Sequence, residues 1–143
     1  MTDKHKFIFS RSAAERILHL EPLSITDLQN VYPGQIKVTT KQKQEYHIGV
    51  NRFIEDFVTS RKLKAKKLKV ETTKYSNLYR VINPENLNRY PVRTTTKGIE
   101  CKCRDYQKQQ EILGEGCCKH GFSVLNYLGY EKLSDYCKRQ VTV

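Results

Sequence analysis

Tryptophan is absent from this 143-residue chain and methionine occurs once. No stretch approaches the roughly 18 consecutive apolar residues that a membrane span requires. The opening Met1-Thr-Asp-Lys-His-Lys6 is polar, unlike the apolar core of a secretory leader. Also missing are the H-E-x-x-H of a metallopeptidase, a glycine-rich phosphate loop and the G-x-S-x-G of a nucleophile elbow. Acidic residues are scarce, 15 against 26 Lys and Arg, and scattered ones such as Glu55, Asp56 and Asp105 argue against a two-metal nuclease. These absences predict a protein that is not an enzyme, has no small-molecule substrate and does not enter a membrane.

What remains is strongly basic. The net charge of +11 and pI near 9.5 are the electrostatic profile of a chain that meets a polyanion, and the excess is spread along it. Residues 1–72 carry 14 basic and 8 acidic residues (+6), leaving 12 and 7 (+5) for residues 73–143. With 38% hydrophobic residues the chain can bury roughly two-thirds of its unfolded surface, enough for one compact domain or a finger beside a small helical region. Five cysteines are an odd number, which fits metal binding in a reducing compartment better than a disulfide framework. A cytoplasmic protein is expected, or a nuclear one in a eukaryote.

Four candidate ligands stand in two close pairs. Cys101 and Cys103 are separated by one residue, 14 residues follow, and Cys118 and His120 are again one residue apart. Thiolates and an imidazole form the ligand set of a tetrahedral zinc site, and four protein ligands leave no open position for a reacting water. If Ile99–Cys103 runs as a strand, its two cysteines face the same way. Cys118 and His120 lie where a loop with Gly114 and Gly116 gives way to the apolar run Phe122–Leu128, so one metal would clamp a hairpin to a helix start.

The C-x-C and C-x-H pairs followed by a short apolar helix resemble the SWIM zinc finger, a ββα module of chromatin-remodelling ATPases, transposases and recombination accessory proteins. The resemblance covers residues 75–130. It implies one structural zinc held by Cys101, Cys103, Cys118 and His120, a DNA- or protein-binding role, and no catalysis. Cys117 makes C-x-x-H available too, although the family spacing favours Cys118. Three thiolates and Zn²⁺ together change the charge by −1, leaving about +10.

Along the chain, Phe7-Ile-Phe9 has β character, and Ser12-Ala-Ala-Glu15 reads as a capping box opening a helix that Pro22 stops. Thr26-Asp-Leu-Gln29 reads as a second box, Tyr32-Pro-Gly34 as a turn and Gln35–Thr40 as a strand. Residues 43–60 carry a helical period through Tyr46, Val50, Phe53, Ile54, Phe57 and Val58. The run from Arg61 to Lys69 holds six basic residues in nine and, if extended, makes a comb of Lys62, Lys64 and Lys66 with Lys67 on the opposite face. Leu78–Ile82 and Tyr90–Thr94 form a hairpin, with Pro91 tolerable only at an edge or bulge. The segment containing Lys108, Gln109, Gln110 and Glu111 reads as an exposed polar insertion. Gly129 caps the apolar helix, and Glu131–Arg139 forms a terminal helix with Leu133, Tyr136 and Cys137 on one face.

The expectation is an α+β protein: a small, mainly helical N-terminal region over residues 1–71, then a ββα SWIM-like finger with a terminal helix over residues 72–143. Its expected role is that of a nucleic-acid-binding accessory factor, DNA rather than RNA. Lys62, Lys64, Lys66, Lys67, Arg80, Arg89, Arg93 and Lys119 are the candidate contacts. Tyr79 and Tyr90 are expected in the core or at its rim, although exposed tyrosines beside arginines would suit base stacking. The alternative is a zinc-braced module that docks a protein in a recombination, transposition or other multi-subunit assembly.

Overall fold

A computed structural model describes residues 3–141, so Met1 and Thr2 of the polar opening lie outside the described residues. The architecture is α+β, with six helices and two antiparallel sheets among the described residues. Two compact units divide at Ser60 and Arg61, which places the basic run with the second unit.

The first unit opens with α1 (Asp3–Ile8) and α2 (Arg11–Leu18), followed by β1 (Ile25–Tyr32), β2 (Gln35–Thr40) and β3 (Glu45–Gly49) in one antiparallel sheet. Helix α3 (Val50–Ala65) starts here and ends in the second unit. Strand β2 behaves as its alternation predicts, with Ile36 and Val38 fully buried. Gly34, at φ 79°, supplies the left-handed residue of the turn before it.

Several local signals lose to tertiary pairing. Phe7 lies in α1 rather than in a strand, and its ring meets Phe57 edge-on at 5.3 Å. Phe9 follows α1 and meets Phe53 in the same manner, also at 5.3 Å. Ser10 rather than Ser12 caps α2, its hydroxyl accepting from the Ala13 amide at 3.1 Å. Thr26–Gln29 belongs to β1, where Leu28 pairs with Val38, because strand pairing satisfies those amides that a cap would otherwise serve. The expected helix over 43–60 begins only at Val50: Glu45–Gly49 pairs with β2, Ile48 opposite Ile36. Phe53 is the one fully buried member of its apolar set, while Ile54 is 47% exposed.

The second unit is built on β4 (Lys69–Thr72), β5 (Leu78–Ile82), β6 (Arg89–Thr94) and β7 (Ile99–Cys101), antiparallel in that order. Pro91 is accommodated because β7 pairs with β6 only from Val92 to Thr94, leaving the proline open on that side. Helices α4 (Arg104–Leu113), α5 (Lys119–Leu128) and α6 (Leu133–Val141) follow. Val81, Val92, Ile99 and Cys101 face a common core with Phe122, Val124 and Leu125 of α5, and Tyr136 of α6 joins them. Tyr79 and Tyr90 are half-buried against that core, as their places on this face predict. The Tyr136 hydroxyl donates to the Thr95 carbonyl at 2.7 Å, holding the turn before β7. Gly129, at φ 91°, caps α5.

The basic run is not an extended comb. Arg61 to Ala65 complete α3, Lys66 and Lys67 form a turn, and Lys69 opens β4. Burial of Ala65 decides this: its carbonyl accepts from the Ser123 hydroxyl at 3.1 Å and from the Leu68 amide, an arrangement that needs a helical end. Lys62, Lys64, Lys66 and Lys67 therefore do not line one side of a strand.

Candidate metal centre

Strand β7 ends at Cys101, and the chain turns so that Cys103 becomes the N-cap of α4 instead of continuing the strand to 103. Its sulfur accepts from the Tyr106 amide at 3.4 Å. Cys118 does the same for α5, accepting from the Gly121 amide at 3.4 Å, and His120 follows in the first turn. Two ligand sulfurs thus sit at helix N-termini, where unpaired amides and the helix dipole favour the thiolate form.

The four side chains converge. One donor atom from each of Cys101, Cys103, Cys118 and His120 lies within 4.8 Å of all the others, and all four residues are buried. The His120 Nδ1 is 3.7 Å from the sulfurs of both Cys101 and Cys118. With metal–sulfur bonds of about 2.3 Å and metal–nitrogen bonds of about 2.0 Å at tetrahedral angles, that edge would measure about 3.5 Å. Those two edges match such a site, and the four donors lie close enough together to hold one metal ion. Tyr90 lies against the imidazole, ring centroids 4.5 Å apart.

Three thiols this close cannot all ionise without a cation. Cys101 is pushed up to about 11, chiefly because it hydrogen-bonds to Cys103, and Cys118 is pushed up by its bonds to Cys101 and Cys103. Cys103 is held well below the ordinary thiol range by the same bond from Cys101 and then by that from Cys118. A bound dication offsets the repulsion and takes all three as thiolates, with protons released from the two that are otherwise held.

Cys117 is excluded from the cluster. It is buried in the apolar core, where desolvation pushes its thiol up to about 12, and its sulfur packs 2.9 Å from where a side chain at Gly121 would begin. Of the two adjacent cysteines, only Cys118 joins the donor group. Cys137 is remote as well, its thiol donating to the Lys97 carbonyl at 3.4 Å.

The supposed polar insertion is helix α4, and it contains the residue that sequence reading missed. Gln109 is 2% exposed. Its Oε1 accepts from the Cys117 amide at 2.9 Å, while its Nε2 donates to the Cys117 carbonyl at 3.2 Å and to Asp105 at 3.0 Å. Asp105 in turn receives a two-pronged hydrogen bond from Arg61, at 2.8 and 2.9 Å. This relay pins the backbone one residue ahead of Cys118. Gly116 makes room for it, since a Cβ there would meet that of Gln109 at 2.5 Å. The spacing of Asp105 and Gln109, one helical turn apart, was the available signal, and it shows only once α4 is recognised.

Gln109→Leu keeps the bulk but leaves both Cys117 backbone groups without their partner. It is expected to lower stability by about 1–3 kcal/mol and metal affinity by about 10- to 100-fold, the range for residues that orient ligands. Thermal melting and competition with a colorimetric chelator measure the two effects. Unchanged metal affinity would reduce Gln109 to a packing residue.

The candidate nucleic-acid contacts fall into separate places. Arg80, Arg89 and Arg93 share the sheet face opposite the core, at registers 80↔91, 82↔89 and 78↔93, with Arg80 3.9 Å from Glu71. Lys119 begins α5 beside the cluster. Lys62 stacks over the Phe122 ring at 5.8 Å, and Lys64, Lys66 and Lys67 are exposed around the end of α3. Comparison with known proteins adds no relative: no family model, curated protein or solved structure matches the chain.

Proposed function

We propose that the second unit is a SWIM-type zinc finger and that the protein is a non-catalytic, basic nucleic-acid-binding accessory factor, acting on DNA rather than RNA. The observation that carries this reading is the buried set of three cysteines and one histidine, spaced C-x-C and C-x-H and hung between a strand end and two helix starts. Three thiolates with one imidazole suit Zn²⁺ above harder divalent ions, and four protein donors make the site structural. The zinc braces a sheet whose outward face carries Arg80, Arg89 and Arg93 on a chain of net charge +11. Five free cysteines accord with a reducing compartment, and among the described residues no helix is long and apolar enough to cross a membrane.

Binding of the zinc-loaded protein to mixed-sequence DNA across a salt series tests this. Phosphate contacts make log affinity fall linearly with log salt, and Arg80→Gln/Arg89→Gln/Arg93→Gln should flatten the slope by about two to three. Absence of DNA binding at low salt would defeat the reading. It would favour docking to a protein subunit instead, for which the exposed Leu87 and Tyr127 of the same unit offer apolar contact area.

A further inference from the structure

The open face of the second sheet ends in a groove. Where β7 passes into α4, Leu78, Pro91, Arg93, Glu100, Lys102 and Tyr106 line a depression of about 600 Å³. Leu78 and Pro91 supply an apolar floor from adjacent strands, and Arg93 and Lys102 supply cations at its margins. The Gln110 side chain donates to the Tyr106 hydroxyl at 2.9 Å, which fixes the ring from the next helical turn. Lys69, Arg80 and Arg89 continue the positive charge across the same face, so five cations stand against two carboxylates, Glu71 and Glu100.

We propose that this groove takes single-stranded nucleic acid, one base stacking on Tyr106 over the Leu78–Pro91 floor while the flanking phosphates meet Arg93 and Lys102. The proposal rests on the nucleic-acid reading above and narrows it to a strand state and a place. Charge complementarity selects a polyanion, and the apolar and aromatic lining of an open groove selects one with free base faces. A duplex keeps its bases stacked and offers a flat or convex protein surface mainly phosphates, whereas a single strand presents both a π-face and a flexible backbone. Glu100 stands in the groove as an acceptor, a role that exocyclic base amines can use. Neither Lys102 nor Tyr106 stood among the residues that the sequence nominated, since their relation to Arg93 depends on the turn at Cys103 that starts α4.

The test uses the full-length, zinc-loaded chain with a fluorescent 12-nucleotide oligothymidine and a duplex of the same length, read by anisotropy over a salt series. Single strand is expected to bind at least tenfold tighter than duplex. Tyr106→Leu, which keeps apolar bulk but removes the π-face, should weaken single-strand binding by about 5- to 100-fold, while Tyr106→Phe stays within about twofold of wild type. Arg93→Gln/Lys102→Gln should flatten the single-strand salt slope by about 1.4, at 0.7 per contact. Photocrosslinking of iodouracil-substituted strand to the Tyr106 peptide would place the base directly. If duplex binds as tightly as single strand and these variants are neutral, nucleic-acid binding stands and the groove proposal falls. If polyglutamate competes as well as the oligonucleotide and Tyr106→Leu is neutral, the face is a general anion surface and the proposal falls too. No binding to either DNA overturns the proposal together with the function on which it rests.

Discussion

Stripping the metal with an excess of strong chelator should unfold the unit from Arg61 to Val143, seen as collapse of its dispersed amide signals in a heteronuclear NMR spectrum. The four candidate ligands lie on β7, at the start of α4 and at the start of α5, so a bound ion would join three elements at one point. Structural zinc contributes roughly 10–16 kcal/mol at neutral pH, while a whole domain is stable by only about 5–15 kcal/mol. Loss of the ion also returns three crowded thiols to a site where they cannot ionise together. An unchanged spectrum at undetectable metal content would show that apolar packing alone holds the unit.

Exchanging single cysteines should separate metal content from packing. Cys118→Ser removes a donor and the sulfur that caps α5, and metal affinity should drop by more than about a hundredfold, beyond the range that ligand-orienting residues reach. Cys117→Ser should keep one metal per chain yet melt earlier, because a hydroxyl replaces a thiol in an apolar pocket at a cost of about 1–3 kcal/mol. Cys137→Ser should change neither appreciably, since Cys137 is outside the donor group and makes one long bond to Lys97. Metal analysis beside thermal melting reads all three. Equal metal loss from the Cys117 and Cys118 variants would contradict the division of roles between neighbouring cysteines.

The candidate metal cluster was legible in the sequence because coordination needs particular atoms at short spacing, and few other uses of cysteine produce two such pairs. Strand 35–40 was legible for a related reason, since its period-two alternation reports a half-buried sheet directly, and the hairpin of 78–82 with 90–94 was legible from two short β-prone runs about a loop of turn residues. Misreadings arose where a local signal competed with a distant partner. Thr26–Gln29 carries good cap chemistry, but Leu28 finds Val38 across the sheet. Tyr46 and Val50 sit in a pattern that also fits a helix, and only the pairing of Tyr46 and Ile48 with β2 reveals the strand. The lysine-rich run offered no apolar period strong enough to decide between helix and strand, whereas Ala65 beneath Ser123 decides it in three dimensions. Gln109 was invisible for a different reason: a buried amide among exposed polar residues differs from them only through the groups it meets.

X-ray absorption at the zinc edge of the purified protein tests the central claim most directly. The account predicts one zinc per chain, with three sulfur neighbours at about 2.3 Å and one nitrogen at about 2.0–2.1 Å, and loss of one sulfur in Cys118→Ser but not in Cys117→Ser. A zinc surrounded chiefly by oxygen, a first shell with only two sulfurs in the wild type, or protein that folds and purifies without metal would contradict it.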